Sequence, residues 1–163
     1  MAANLFYSAR LSSTFDNNEM LIKHLQTLSN DLTLSGPASG EDIDQLERDL
    51  GIRCPDTLRS LLSETNGILG EYELGLLWDI ERIKDDNTAF RQSEDFKDLY
   101  MPFDNLVFFG DAGNGDQFAF PILRDGNCRD DVFVWNHEDD SRSWVAPSLE
   151  VFYEWWLTGR ITV

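Results

Sequence analysis

Acid–base and nucleophilic chemistry in this chain would have to run through two histidines, two cysteines and thirty carboxylates. His24 falls beside a run of leucines and His137 opens the tract His137-Glu138-Asp139-Asp140, and neither has a serine or cysteine next to it in a nucleophile motif. A nucleophile elbow, a phosphate-binding loop and a dinucleotide fingerprint are all absent. His137-Glu138 begins like a zinc-protease helix, but position 141 is Ser where the second His ligand is required. Asp111, Asn114 and Asp116 around two glycines offer hard oxygens suited to calcium, yet the spacing departs from the EF-hand loop and no bidentate Glu closes it. The simpler reading is a hairpin turn whose glycines take positive φ and whose acids bond locally. Cys54 and Cys128 stand alone, which suggests neither a disulfide framework nor a clustered metal site. No catalytic residue, metal ligand or cofactor site is therefore expected, and the chain reads as a non-enzyme.

Its charge says more. Thirteen Lys and Arg against 30 Asp and Glu leave a net charge of −17, which excludes the phosphate neutralisation that drives nucleic-acid binding and disfavours anionic membranes. Spread evenly over the surface, those charges would sit about 20 Å apart, beyond the ~8 Å screening length of physiological salt, so only clustering gives a useful field. Three stretches lack any Lys or Arg: Glu64 to Asp79, Asp98 to Asp116 and Asp130 to Asp140. Each is either a solvated face or an electrostatic template for a basic partner. No apolar run approaches the ~20 residues of a membrane span, and Met1 to Ser13 lacks the basic start and apolar stretch of a secretory signal, so a cytoplasmic location is expected.

The elements that must position these groups are helices first and strands later. Residues 1–38 read as a helical attachment to the domain: Asp16 to Asn18 offers cap chemistry, Leu21, Leu25, Leu28 and Leu32 form one stripe, and Ser35-Gly36-Pro37 ends it. Ser39 with Asp42 resembles a capping box, Ile43, Leu46 and Leu50 share a face, and Gly51 can take the left-handed stop. A third helix starts at Pro55, turns Leu58, Leu61 and Leu62 inward and stops at Asn66-Gly67. Gly67 to Trp78 suggests one short irregular strand, and Asp79 to Arg91 a helix through Ile80 and Ile83. Leu106 to Phe109, Phe118 to Ile122 and Val132 to Trp135 are the clearest strands, forming an antiparallel meander with Pro121 at an edge or strand end. Leu149, Phe152, Tyr153, Trp156 and Leu157 then define a last helix from Ser148 to Thr158. Val151 and Trp155 lie towards the back of that helix and need cover, from the amino-terminal attachment or from a partner. The fold class is α+β, an antiparallel sheet of about four to six strands flanked by helices, over residues 39–163.

This order resembles the SUKH superfamily, which includes the Smi/Knr-type regulators of fungal cell-wall synthesis and many bacterial immunity proteins. The resemblance is carried by the paired helices with Gly51 and Pro55 at their junction, Leu58 to Leu62 before Asn66-Gly67, and Leu106-Val107-Phe108-Phe109-Gly110-Asp111 running into Gly113-Asn114-Gly115-Asp116 and Phe118-Ala119-Phe120. It continues through Val132-Phe133-Val134-Trp135-Asn136-His137-Glu138 and Ser148-Leu149, and covers about Ser39 to Leu157. What it implies is function by protein binding, without catalysis. In the immunity type this is capture of a cognate secreted toxin domain, often a nuclease, from a polymorphic or contact-dependent system. In the regulatory type it is the gathering of cellular proteins without a toxin. An acidic surface suits the first, since a nuclease presents a cationic site to phosphate. Asp130, Asp131, Glu138, Asp139 and Asp140, with Asp111 and Asp116 from the neighbouring turn, are the expected partner-binding carboxylates. Trp78 or Trp155 is the expected anchor. The expected partner is a basic protein toxin domain, with no nucleic acid and no membrane, and the chain itself is a monomer or weak homodimer.

Overall fold

The structure, a computed structural model, describes residues 21–163. Residues 21–28 are helical (α1), with Leu21 and Leu25 buried in the main core. The helix stops short of Ser35-Gly36-Pro37. Leu32 lies beyond it, and the chain enters strand β1 (Thr33–Leu34) instead. The four-leucine stripe is thus half helix and half approach to a strand, because two β-hydrogen bonding partners downstream compete for the backbone at 33–34. The expected cap at 16–18 lies outside the described residues.

Helix α2 (Gly40–Leu50) begins as its sequence implies: Ser39 Oγ accepts from Asp42 N at 3.1 Å and donates to Asp42 Oδ2 at 2.6 Å. It ends at Gly51, whose left-handed backbone (φ 64°) suits a residue without Cβ. Helix α3 (Asp56–Glu64) follows Pro55 and buries Leu58, Leu61 and Leu62 completely. Arg59 clips it to α2 through Asp44 (2.7 Å) and Glu47 (2.5 Å).

The stretch read as one strand is a hairpin, β2 (Ile68–Leu69) and β3 (Gly75–Leu77), joined by a tight turn over Glu71–Glu73. With β1 it forms a three-stranded antiparallel sheet in the order β1-β2-β3. Residues 33–34, on the segment expected as an attachment, are therefore an integral strand. Helix α4 (Ile80–Gln92), capped by Asp79, and the short α5 (Glu94–Leu99), capped by Ser93, lead to the second sheet. That sheet is the expected meander extended by one strand: β4 (Leu106–Asp111), β5 (Gln117–Pro121), β6 (Val132–Trp135) and β7 (Arg142–Ala146), in sequential order. Pro121 closes β5, where no ladder donor is needed. Helix α6 (Leu149–Leu157) ends the fold, its Ser148 cap accepting from Val151 N. The fold is α+β, with seven strands split between two sheets.

Side chains on the second sheet alternate between two aromatic layers. On one face Phe108 and Trp135 meet Phe90 of α4 and Phe103 of the linker, Trp135 also meets Tyr100, and Phe96 of α5 packs on Phe90. On the other, Phe109 and Phe118 meet Phe152 of α6, Phe118 also meets Trp156, and Phe120 stacks on Phe109. Beside the register shift of β4 against β5 between Phe108 and Gly110, buried Asn87 holds the Phe108 backbone. Its Oδ1 accepts from Phe108 N (2.8 Å), and its Nδ2 donates to Phe108 O (2.9 Å) and to Ile83 O (2.7 Å). The two sheets touch at Gly110, where a side chain would begin 2.7 Å from Leu76 O, and Trp78 N donates to Phe109 O at 2.8 Å. This junction brings the β2–β3 turn beside the turns of the second sheet.

Candidate functional site

Three turns converge at one end of the two sheets. In the β4–β5 turn, Asn114 Oδ1 accepts from Asp116 N (3.0 Å), Asn114 Nδ2 donates to Asp116 Oδ2 (3.1 Å), and Ala112 N donates to Asp116 O (3.0 Å). In the β6–β7 turn, Asn136 Oδ1 accepts from Glu138 N (2.8 Å) and Asp139 N (3.3 Å), and Asp139 Oδ1 accepts from Ser141 N (2.9 Å). Asp116 joins the two. Its Oδ1 accepts from His137 N at 3.1 Å and lies 2.7 Å from His137 Nδ1. Burial works against the Asp116 charge, but the bonds from the His137 ring and backbone and from Asn114 outweigh it and hold the carboxyl below its ordinary pKa. Gly115 (φ 102°) leaves the room this contact needs, since a Cβ there would sit 2.8 Å from His137 Cε1.

The third turn, over Glu71–Glu73, closes by Gly70 N donating to Leu74 O (2.8 Å) and Leu74 N to Glu71 O (3.2 Å). It abuts the β4–β5 turn on two counts. Leu74 Cδ1 lies 3.3 Å from where a side chain on Gly113 would begin, and Asp111 Oδ2 lies 2.7 Å from the corresponding point on Gly75. Glu71, Tyr72, Glu73, Glu138 and Asp139 are exposed around this end. The Ser141 hydrogen bonds hold Asp139 below the ordinary carboxylate range, so it stays charged.

Most of the carboxylates singled out in the sequence at this end are already engaged. Asp111 receives a bidentate pair from Arg82 Nη1 and Nη2 (2.8 and 2.9 Å), and Asp116 is 3% exposed. Asp140, itself at φ 60°, accepts from Met101 N (2.7 Å), Trp135 Nε1 (2.8 Å) and Arg142 Nη2 (3.3 Å). Arg142 continues to Pro102 O, Asn105 Oδ1 and Met101 O, so this network ties the linker before β4 to the last hairpin. Of the expected set at this end only Glu138 and Asp139 are exposed, and Asp139 still accepts from Ser141 N.

Asp130 and Asp131 are elsewhere. In an antiparallel meander successive connections alternate ends, so the β5–β6 connection lies across the length of β6, about 13 Å, from the other two turns. Topology therefore places the expected partner-binding carboxylates at two ends of the sheet. Asp131 pairs with Arg129. Partial burial and then the charges of Glu150, Asp56 and Asp131 raise the pKa of Asp130.

Trp78 is 2% exposed, its indole covered by the Arg82 guanidinium at 4.2 Å, and a side chain so enclosed cannot anchor a partner. Trp155 is half-buried between Trp144 of β7 (6.4 Å) and Arg160 (4.3 Å). Its cover includes β7 and the chain's own last residues, folded back by Arg160 N donating to Trp155 O at 2.7 Å. Sequence reading missed Tyr72. The Lys/Arg-free stretch Glu64 to Asp79 already contained its two acidic neighbours, but an irregular strand gave no way to see that a turn would expose it.

Among the described residues, no three His, Cys, Asp or Glu side chains gather as metal ligands. Burial pushes the Cys54 and Cys128 thiols up to about 12, far from a reactive thiolate. No helix among the described residues is long and apolar enough to cross a membrane.

A family model described as SMI1-KNR4 cell-wall, of the SUKH group, matches residues 40–152, from the first residue of α2 into α6. The chain belongs to the SMI1-KNR4 family. Members of this SUKH group are generally immunity or regulatory proteins and not enzymes. The match spans α2 to α6 and so includes all three converging turns of this SMI1-KNR4 domain. No curated protein matches the chain.

Proposed function

We propose that this SMI1-KNR4 domain is an immunity protein that binds the toxin domain of a secreted polymorphic or contact-dependent system, a nuclease being the class that fits best, and covers its basic active site. The observation carrying the reading is the convergence of three turns on one end. There Glu71, Glu73, Glu138 and Asp139 are exposed, while the nearby cation Arg82 is already paired with Asp111 and Asp86. Opposite charge on a nuclease's phosphate site would steer encounter, and the same field repels the nucleic acid that competes for that site. The mechanism is occlusion. The chain brings no reacting group; its turns are fixed in advance by Asp116–His137 and by the Asp140 network, which limits the ordering cost of binding.

Expression of the chain in cells making the toxic carboxyl-terminal domain of a large secreted protein encoded beside it tests the reading. Rescue, with nanomolar capture by the purified chain, is the expected result. Failure to rescue, together with moderate-affinity association with several cellular proteins, would favour the regulatory type.

A further inference from the structure

We infer that Tyr72 is the aromatic anchor of this surface and enters a pocket lined by arginine or lysine on the partner. The inference rests on the proposed capture of a basic toxin domain and names the residue that would dominate it. Tyr72 is 92% exposed, more than any other large apolar or aromatic side chain standing out on the described surface. It sits at φ 57°, ψ 30°, and Glu73 follows at φ 60°, so two consecutive non-glycine residues occupy the left-handed region. L side chains adopt that conformation at a cost that glycine or asparagine would avoid. Exposed as it is, the ring contributes little packing to the fold in return. What Tyr offers here and Gly does not is an outward ring carrying a hydroxyl, held on a turn closed by its own backbone hydrogen bonds.

The chemistry of the tip selects its partner. Glu71 and Glu73 flank the ring, so the pocket that receives it must supply positive charge. Guanidinium groups meet both demands, stacking on the ring face and pairing with the carboxylates. Tyrosine also commonly dominates interfaces, because it buries a large area while immobilising few torsions. The neighbouring exposed carboxylates Glu138 and Asp139 would then form the rim, setting the rate of encounter more than its strength.

Isothermal titration of the full chain with the adjacent-gene toxin domain, paired with stopped-flow association rates and thermal melts, decides the matter. Tyr72→Ala is expected to weaken binding at least about thirtyfold with the melt unchanged, whereas Glu71→Gln with Glu73→Gln lowers the association rate and its salt dependence. Tyr72→Gly should lose the same affinity and raise the melting temperature, since it relieves the backbone. Wild-type binding with Tyr72→Ala within threefold of it overturns this inference and leaves the functional reading standing. A fall in melting temperature for Tyr72→Gly also overturns it, because the ring would then serve the fold. Absence of binding by the wild-type chain removes both.

Discussion

The two ends of the four-stranded sheet handle negative charge differently. At the end formed by the β4–β5 and β6–β7 turns, carboxylates are structural: Asp111 holds Arg82, Asp116 fixes His137, and Asp140 gathers Trp135, Met101 and Arg142. At the other end Asp130 faces Glu150, Asp56 and Asp131, and its carboxyl is raised by partial burial and by those like charges. The first end uses one buried and two partly buried acids to hold turns still and leaves Glu138 and Asp139 projecting from a rigid base. The second pairs Asp131 with Arg129 and bonds Asp125 to Asn127, but leaves Asp130 facing like charges. Net charge alone cannot make this distinction, because it depends on which donors the fold brings to each carboxylate.

Removing a structural acid should have the largest effect. Asp140→Ala strips three donors of their acceptor in a partly buried network, and is expected to cost about 3 kcal/mol of unfolding free energy in urea titrations. A loss under about 0.5 kcal/mol would erase the contrast between the ends.

Asp116→Asn comes next, at about 2 kcal/mol, with a pH signature of its own. The folded-state pKa of Asp116 is depressed, so its contribution is present above the ordinary carboxylate value of 3.8 and is lost as pH falls through the lower folded value. The gap between wild type and variant should accordingly close on acidification. A gap that widens at low pH would show that the Asp116 charge is not what holds the two turns.

These two effects also mark what could be read in the sequence. Helices α2, α3, α4 and α6 and strands β4 to β6 were legible because caps, apolar stripes and alternation are local signals: Ser39 with Asp42, Leu58 to Leu62, Phe118 and Phe120. The turn Gly113-Asn114-Gly115-Asp116 was legible as a turn. Strand β7 was not, because Arg142-Ser143-Trp144-Val145-Ala146 lies at a sheet edge with little apolar alternation. Nor was the division into two sheets, which depends on Gly110 lying against Leu76 and on Asn87 of α4 binding the Phe108 backbone. The acidic run from Asp130 to Asp140 looked continuous only because sequence does not show that β6 carries the chain from one end to the other between Asp131 and Asn136. The roles of Asp116, Asp140 and Trp78 depend on partners 21 to 39 residues away or on burial, neither of which has a local signature.

The smallest effect is expected at the second end, and with opposite sign. Asp130→Asn relieves repulsion and should stabilise the fold at neutral pH, by no more than about 0.5 kcal/mol at so exposed a site. Because the folded pKa is raised, the wild type takes up a proton as pH falls through that value, and the advantage of the variant disappears there. Destabilisation by Asp130→Asn at neutral pH would mean that this carboxylate is satisfied after all.

The most direct test of a partner-facing turn end is a pair of charge reversals read as association rates. Glu138→Lys with Asp139→Lys is compared with Asp130→Lys with Glu150→Lys, each against the neighbouring secreted toxin domain at low and moderate salt. The account predicts that the first pair slows association at least about tenfold and flattens its salt dependence, while the second changes it less than about twofold. Equal slowing by both pairs, or slowing by the second alone, would contradict it.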